Sequence, residues 1–91
     1  MTDKTKEMLI DAMTDNLQML RVRLNLTQAQ MSEMIGVGRQ TYMSIENKKS
    51  RMSWGTFLSL LIVFTKNEET DVILSAVGIY TDELNDFLKR R

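Results

Sequence analysis

Arg39 and Gln40 stand side by side in this chain and carry its most selective hydrogen-bonding chemistry. A guanidinium fork can pair bidentately with a guanine edge, and a carboxamide can do the same with an adenine edge. On an ordinary solvated helix face the same two side chains would do nothing in particular, so their setting has to decide between the two. A little further on, Lys48, Lys49 and Arg51 form a basic cluster. Such a cluster is either a solvated loop or a neutraliser of phosphate charge. The chain has no His and no Cys. The commonest general base, the commonest metal ligand and every thiolate site are therefore missing. An enzyme built here would have to work with carboxylates, Lys or Tyr, and no nucleophile motif is present. Asp82, Glu83 and Asp86 lack the spacing of a metal-binding loop; the first two are explained by their place at a helix start. No cofactor is expected.

The 91 residues bound the architecture to one small unit. A core drawn from 43% hydrophobic residues is adequate but marginal at this size. The longest apolar run, residues 60–64, is far too short to span a bilayer. The first six residues are polar and show no secretion signal, so a cytoplasmic protein with no membrane partner is expected. Net charge is zero, but it is unevenly spread. Residues 16–56 hold six basic side chains (Arg21, Arg23, Arg39, Lys48, Lys49, Arg51) and two acidic ones (Glu33, Glu46). The flanks are correspondingly acidic. A basic centre between acidic ends suits a unit that meets a polyanion through its middle.

The elements that must position these residues read as helices. Pro is absent, and no stretch alternates with period two. Leu9, Met13, Leu17, Leu20 and Leu24 form one helical stripe. This first helix either runs unbroken from about Thr5 to Arg23 or restarts at Thr14 as a new N-cap, and Asn25 is a suitable left-handed stop. Thr27 and Gln30 are spaced as a capping box, with Leu26 and Met31 as its staple. The second helix carries Met31, Met34 and Ile35 and ends at Gly36. A third begins at Gly38, with Val37 and Tyr42 at staple spacing. Tyr42 and Ile45 turn inward, which leaves Arg39, Gln40, Met43 and Ser44 outward.

Ser53 caps a fourth helix, which is too apolar to be covered on one side only. Trp54, at its start, is either a surface anchor for a partner or a lid on that helix. A fifth helix is expected over residues 68–77, with Glu68, Glu69 and Asp71 at its positive end. Gly78 is its stop, with Leu74 and Ile79 in the accompanying apolar contact. Thr81 caps a sixth helix that ends at Lys89, Arg90 and Arg91. Met13, Met31 and Met34 sit at core spacing, so the methionines read as core filler.

The second and third helices are joined by Gly36-Val37-Gly38 and are too short to stand alone. Apolar Met31, Ile35, Val37, Tyr42 and Ile45 lock the pair onto the remainder. Small Ser32 permits a close crossing, and Gly36 permits a positive φ. Leu20-Arg21, Leu26-Thr27-Gln28, residues 35–42 and Ile45-Glu46-Asn47-Lys48 together resemble the lambda-repressor/Cro-like (Xre-type) helix-turn-helix family over about residues 17–64. The chain departs from the family in three places. Ser32 stands where Ala is usual, Gly38 where Ser or Thr is usual, and Met52-Ser53-Trp54 where Pro often opens the fourth helix.

The resemblance implies an all-α domain of five to six short helices, with a helix-turn-helix core over about residues 14–66 and a helical extension over about 67–91. It implies double-stranded DNA as the partner, with the helix starting near Gly38 in the major groove. Arg39 and Gln40 would read bases, with Thr41, Met43 and Ser44 beside them. Gln28, Asn47, Lys48 and Lys49 would meet phosphates. Arg21 and Glu46 match a pair that bridges two helices in relatives, an architectural role. A bacterial repressor acting as a homodimer through its C-terminal helices, residues 72–88, is the expectation. The alternative is a protein-interaction module, an antitoxin or antirepressor-type partner of a second small protein.

Overall fold

The computed structural model describes residues 1–89 and contains six helices and no strand among them. They are α1 (Asp3–Arg23), α2 (Gln28–Ile35), α3 (Arg39–Glu46), α4 (Trp54–Thr65), α5 (Glu68–Ala76) and α6 (Asp82–Leu88). None is long and apolar enough to cross a membrane.

α1 is unbroken, which resolves the choice at Thr14. The hydroxyl of Thr14 donates to the carbonyl of Ile10 at 2.8 Å, so it bonds back within the helix rather than capping a new one. The helix starts earlier than the expected Thr5, because Thr2 caps it by accepting from the Thr5 amide. Its buried stripe is Leu9, Ile10, Met13, Leu17 and Leu20, and α3, α4 and α5 pack on α1. The apolar α4 is covered by α1, α2 and α5, which buries Phe57, Leu60, Leu61 and Phe64. Each such side chain stabilises the fold by about 1.5–3 kcal/mol.

Thr27, Ser53 and Thr81 cap α2, α4 and α6 by accepting from amides three residues on. At α2 the Gln30 side chain completes the box by accepting from the Thr27 amide at 2.9 Å. Four helices end alike. Asn25 (φ 57°), Gly36 (75°), Lys48 (63°) and Gly78 (81°) are left-handed. After each, an amide donates back five positions: Leu26 to Arg21 (3.3 Å), Val37 to Ser32 (3.0 Å), Lys49 to Ser44 (2.8 Å) and Ile79 to Leu74 (2.9 Å). At Gly36 and Gly78 the missing Cβ makes this easy. Lys48 has no such licence.

α5 stops one residue short of the expected Val77, which is its C-cap. The α4–α5 corner is tied by a residue the apolar pattern does not reveal. Buried Thr70 donates its hydroxyl toward the carbonyls of Phe64 (2.7 Å) and Asn67 (3.1 Å). Most apolar residues of the C-terminal part turn inward. Leu74, Ile79 and Leu84 are fully buried in the same core as α1 and α4, and Val72 (71% exposed) and Leu88 (49%) remain outside. Lys89 is the C-cap of α6; Arg90 and Arg91 lie outside the described residues.

Two sequence expectations are corrected or narrowed. Met13 and Met31 are core residues, but Met34 is 55% exposed. The buried side of the eight-residue α2 is formed by Met31 and Ser32, and Met34 falls off it. Trp54 is a lid. It stacks on Phe57 at 4.8 Å between ring centroids and takes the edge of Phe87 from α6 at 6.2 Å. The Lys6 ammonium lies over its ring at 5.3 Å.

Candidate nucleic-acid interface

α3 presents its charged and polar start to solvent because Tyr42 and Ile45 hold the opposite face in the core. Arg39, Gln40 and Thr41 are exposed in its first turn, and Met43 and Ser44 are half-buried. Gly38 provides the N-cap with an extended backbone (φ −65°, ψ 149°) and no side-chain hydrogen bond. The first turn of α3 therefore has free amides as well as free side chains. Ser32, buried between α2 and α3, satisfies its hydroxyl locally by donating to the Ala29 carbonyl at 2.7 Å. The departure from Ala leaves no polar group stranded.

The far end of α3 is fixed by Glu46. Its carboxylate accepts both arms of a fork from Arg21 of α1, Nε to Oε2 at 2.9 Å and an Nη to Oε1 at 2.8 Å. It also accepts the Tyr42 hydroxyl at 2.7 Å and the Gln28 amide at 3.2 Å. A further Nη of Arg21 donates to the Leu26 carbonyl at 2.7 Å. Four hydrogen bonds thus converge on one carboxylate whose side chain is 3% exposed, and they tie α1, α2 and α3 together. Burial alone would raise the Glu46 carboxyl, but the hydrogen bonds from Arg21 and Tyr42 outweigh it and hold the group below its ordinary range. The same contact raises Arg21. Burial, then the bond to Glu46, pushes the Tyr42 phenol far up, so it stays a donor.

Gln28 is thus part of the network around Glu46. One N–H of its amide is engaged by Glu46, and a carboxamide carries a second. Asn47, Lys48 and Lys49 follow α3 and are exposed. Their surroundings were not legible in the sequence. Lys48 Nζ lies 3.1 Å from Asp15 Oδ1 on α1. Arg51 donates to Asp11 Oδ1 at 2.8 Å and to the Glu7 carbonyl at 3.2 Å. A sequence separation of 33 to 44 residues hides such contacts from any local pattern.

Two short helices crossing through a left-handed glycine, the second with one face anchored and its start laid bare, define a helix-turn-helix. The chain belongs to the helix-turn-helix family of the Xre/lambda-repressor type, whose description matches residues 17–62, half of its length. This is a family of DNA-binding, non-enzymatic regulators. No curated protein and no solved structure gives a significant match.

Proposed function

We propose that the chain is a transcriptional repressor that reads an operator through the first turns of α3. The observation that carries this reading is the contrast along one short helix. Arg39, Gln40 and Thr41 are free at one end, while Glu46 at the other is held by four hydrogen bonds. A reading head needs free side chains on a rigid mount. Arg39 and Gln40 supply the principal base contacts, with Thr41, Met43 and Ser44 flanking them. The second N–H of Gln28, with Asn47, Lys48 and Lys49, supplies phosphate contacts. Lys48 supports this through its backbone. A lysine held at φ 63° costs about 1 kcal/mol relative to glycine, and strain of this kind gathers where the side chain has work to do.

One such head covers few base pairs, so we assign a homodimer on a two-fold site with half-sites roughly 34 Å apart. Exposed Val72 and Leu88 on α5 and α6 supply the apolar contact between copies. Selection of bound sequences from random duplexes tests the reading. A two-fold-symmetric site is expected. Arg39→Ala should relax one base position by about 1–3 kcal/mol, and Lys48→Ala should weaken every sequence alike. No enrichment of any sequence would instead favour the second reading, a module for a second small protein. The pairing of Lys48 and Arg51 with carboxylates favours that reading to a degree, because it lowers the free positive charge beside α3.

A further inference from the structure

The first two thirds of α1, residues 3–16, lie before residue 17, where the family match begins. It carries Glu7, Asp11 and Asp15 at intervals of four, which places them in one row on one helix face. That row meets the loop following α3. Asp15 pairs with Lys48 at 3.1 Å, Asp11 with Arg51 at 2.8 Å, and Glu7 lies 3.9 Å from Arg51. Asp11, Asp15, Lys48, Lys49 and Arg51 line a single open groove. Among the described residues, Lys49 is the one cation of this loop without an ion pair.

We propose that Asp11 and Asp15 are a built-in competitor for DNA phosphates, restraining the basic loop after α3 so that binding depends more heavily on the base contacts of α3. The proposal rests on the DNA-binding reading above. The physical basis is that both pairs are solvent-exposed. Exposed pairs are weak enough for a phosphate to displace, yet each displaced carboxylate stays beside the incoming phosphate and repels it. The penalty is the same for every sequence, so it falls on specific and non-specific binding alike. It suppresses occupancy of sites where few base contacts compensate. It also flattens the salt dependence, because a carboxylate beside the DNA retains cations that a fully basic loop would release.

The test compares the unaltered chain, the double variant Asp11→Asn/Asp15→Asn, and a charge-matched control, Glu68→Gln/Glu69→Gln. The control removes two exposed carboxylates at the start of α5 that form no ion pair with any cation of the loop. Affinity for the selected duplex and for a scrambled one is measured over a salt series, with circular dichroism verifying the fold. The double variant should bind both duplexes roughly three- to tenfold more tightly at low salt. Its plot of log affinity against log salt should steepen by about one unit per carboxylate removed. Single variants should each give about half the logarithmic gain, and base preference should not move. Equal affinity and slope for the unaltered chain and the double variant overturn the proposal and leave DNA binding intact. An equal gain from the control also overturns it, since net charge rather than contact would then be the cause. If neither protein binds any duplex, the DNA reading fails and this proposal with it.

Discussion

α1 takes part in two kinds of ion pair, and their difference separates what holds this molecule together from what adjusts it. Near its C-terminal end, Arg21 meets Glu46 with side chains 12% and 3% exposed. Two and three turns earlier, Asp15 and Asp11 meet Lys48 and Arg51 at similar distances, with every side chain about half exposed or more. The chemistry is the same in both places. Around Glu46 the carboxylate is withdrawn from water and its lone pairs are all engaged, so removing one partner strands the others. Along the acidic row, water replaces a lost partner at little cost.

The comparison breaks most sharply at Glu46. Glu46→Ala leaves the Arg21 guanidinium and the Tyr42 hydroxyl without their acceptor. It should cost about 3–5 kcal/mol, read as a lower denaturant midpoint. That is much of the stability of a domain this small. The triple replacement Arg21→Met/Tyr42→Phe/Glu46→Leu, which removes the charges and the hydroxyl together, should recover most of the loss. A triple variant as unstable as the single one would mean that the pair contributes net stability and not merely the avoidance of a stranded charge.

Acid sharpens the same contrast. The folded state holds the Glu46 carboxyl below its unfolded value. Its contribution is therefore complete above the ordinary carboxylate range and is lost as pH falls through the lower folded value. Denaturant midpoints followed downward from neutral pH should fall less steeply for Glu46→Gln than for the unaltered chain. Parallel curves would assign the acid loss to other carboxylates.

These two regions also differ in how much of them the sequence discloses. The capping box at Thr27 and Gln30, the caps at Ser53 and Thr81, and the stops at Asn25, Gly36 and Gly78 are local chemistry, with partners no more than five residues apart. They were legible for that reason. The Arg21–Glu46 bridge spans 25 residues and could be expected only through the family resemblance. The four-fold engagement of Glu46 by Tyr42 and Gln28 as well could not. The acidic row against the basic loop was invisible, because it depends on how α1 lies across the start of α4. Thr14 was ambiguous because a threonine hydroxyl caps a helix or bonds back within one equally well. Met34 misled because apolar spacing in an eight-residue helix does not fix which edge of the stripe is covered.

Lys48 joins the two regions, since it closes α3 and reaches Asp15. Lys48→Gly relieves a left-handed backbone and gives up one exposed pair, while allowing the unfolded chain more freedom. The net should be a small gain, below the roughly 1 kcal/mol of relieved strain, seen as a slight rise in melting temperature. If Lys48 meets a phosphate, affinity for the selected duplex falls in the same variant. Opposite movement of stability and affinity is the expected signature. A variant that gains stability and binds as before would remove Lys48 from the interface.

The smallest effect tests the exposed side of the comparison most directly. Arg51→Ala removes a guanidinium that holds Asp11 at 2.8 Å and the Glu7 carbonyl at 3.2 Å. By distance alone it rivals Arg21, and a count of hydrogen bonds would predict a large loss. Burial argues otherwise. Both partners are open to water, and the carboxylate and carbonyl left behind are rehydrated once the guanidinium is gone. The loss should stay below about 1 kcal/mol at low salt and shrink toward zero near 1 M salt, where the screening length is about 3 Å. The cost of Glu46→Ala should barely respond to salt over the same range, because ions do not enter the space between α1, α2 and α3. A salt-resistant loss of several kcal/mol at Arg51 would mean that the acidic row fastens the start of α1 to the fold, and the division between a structural pair and an adjustable one would have to be redrawn.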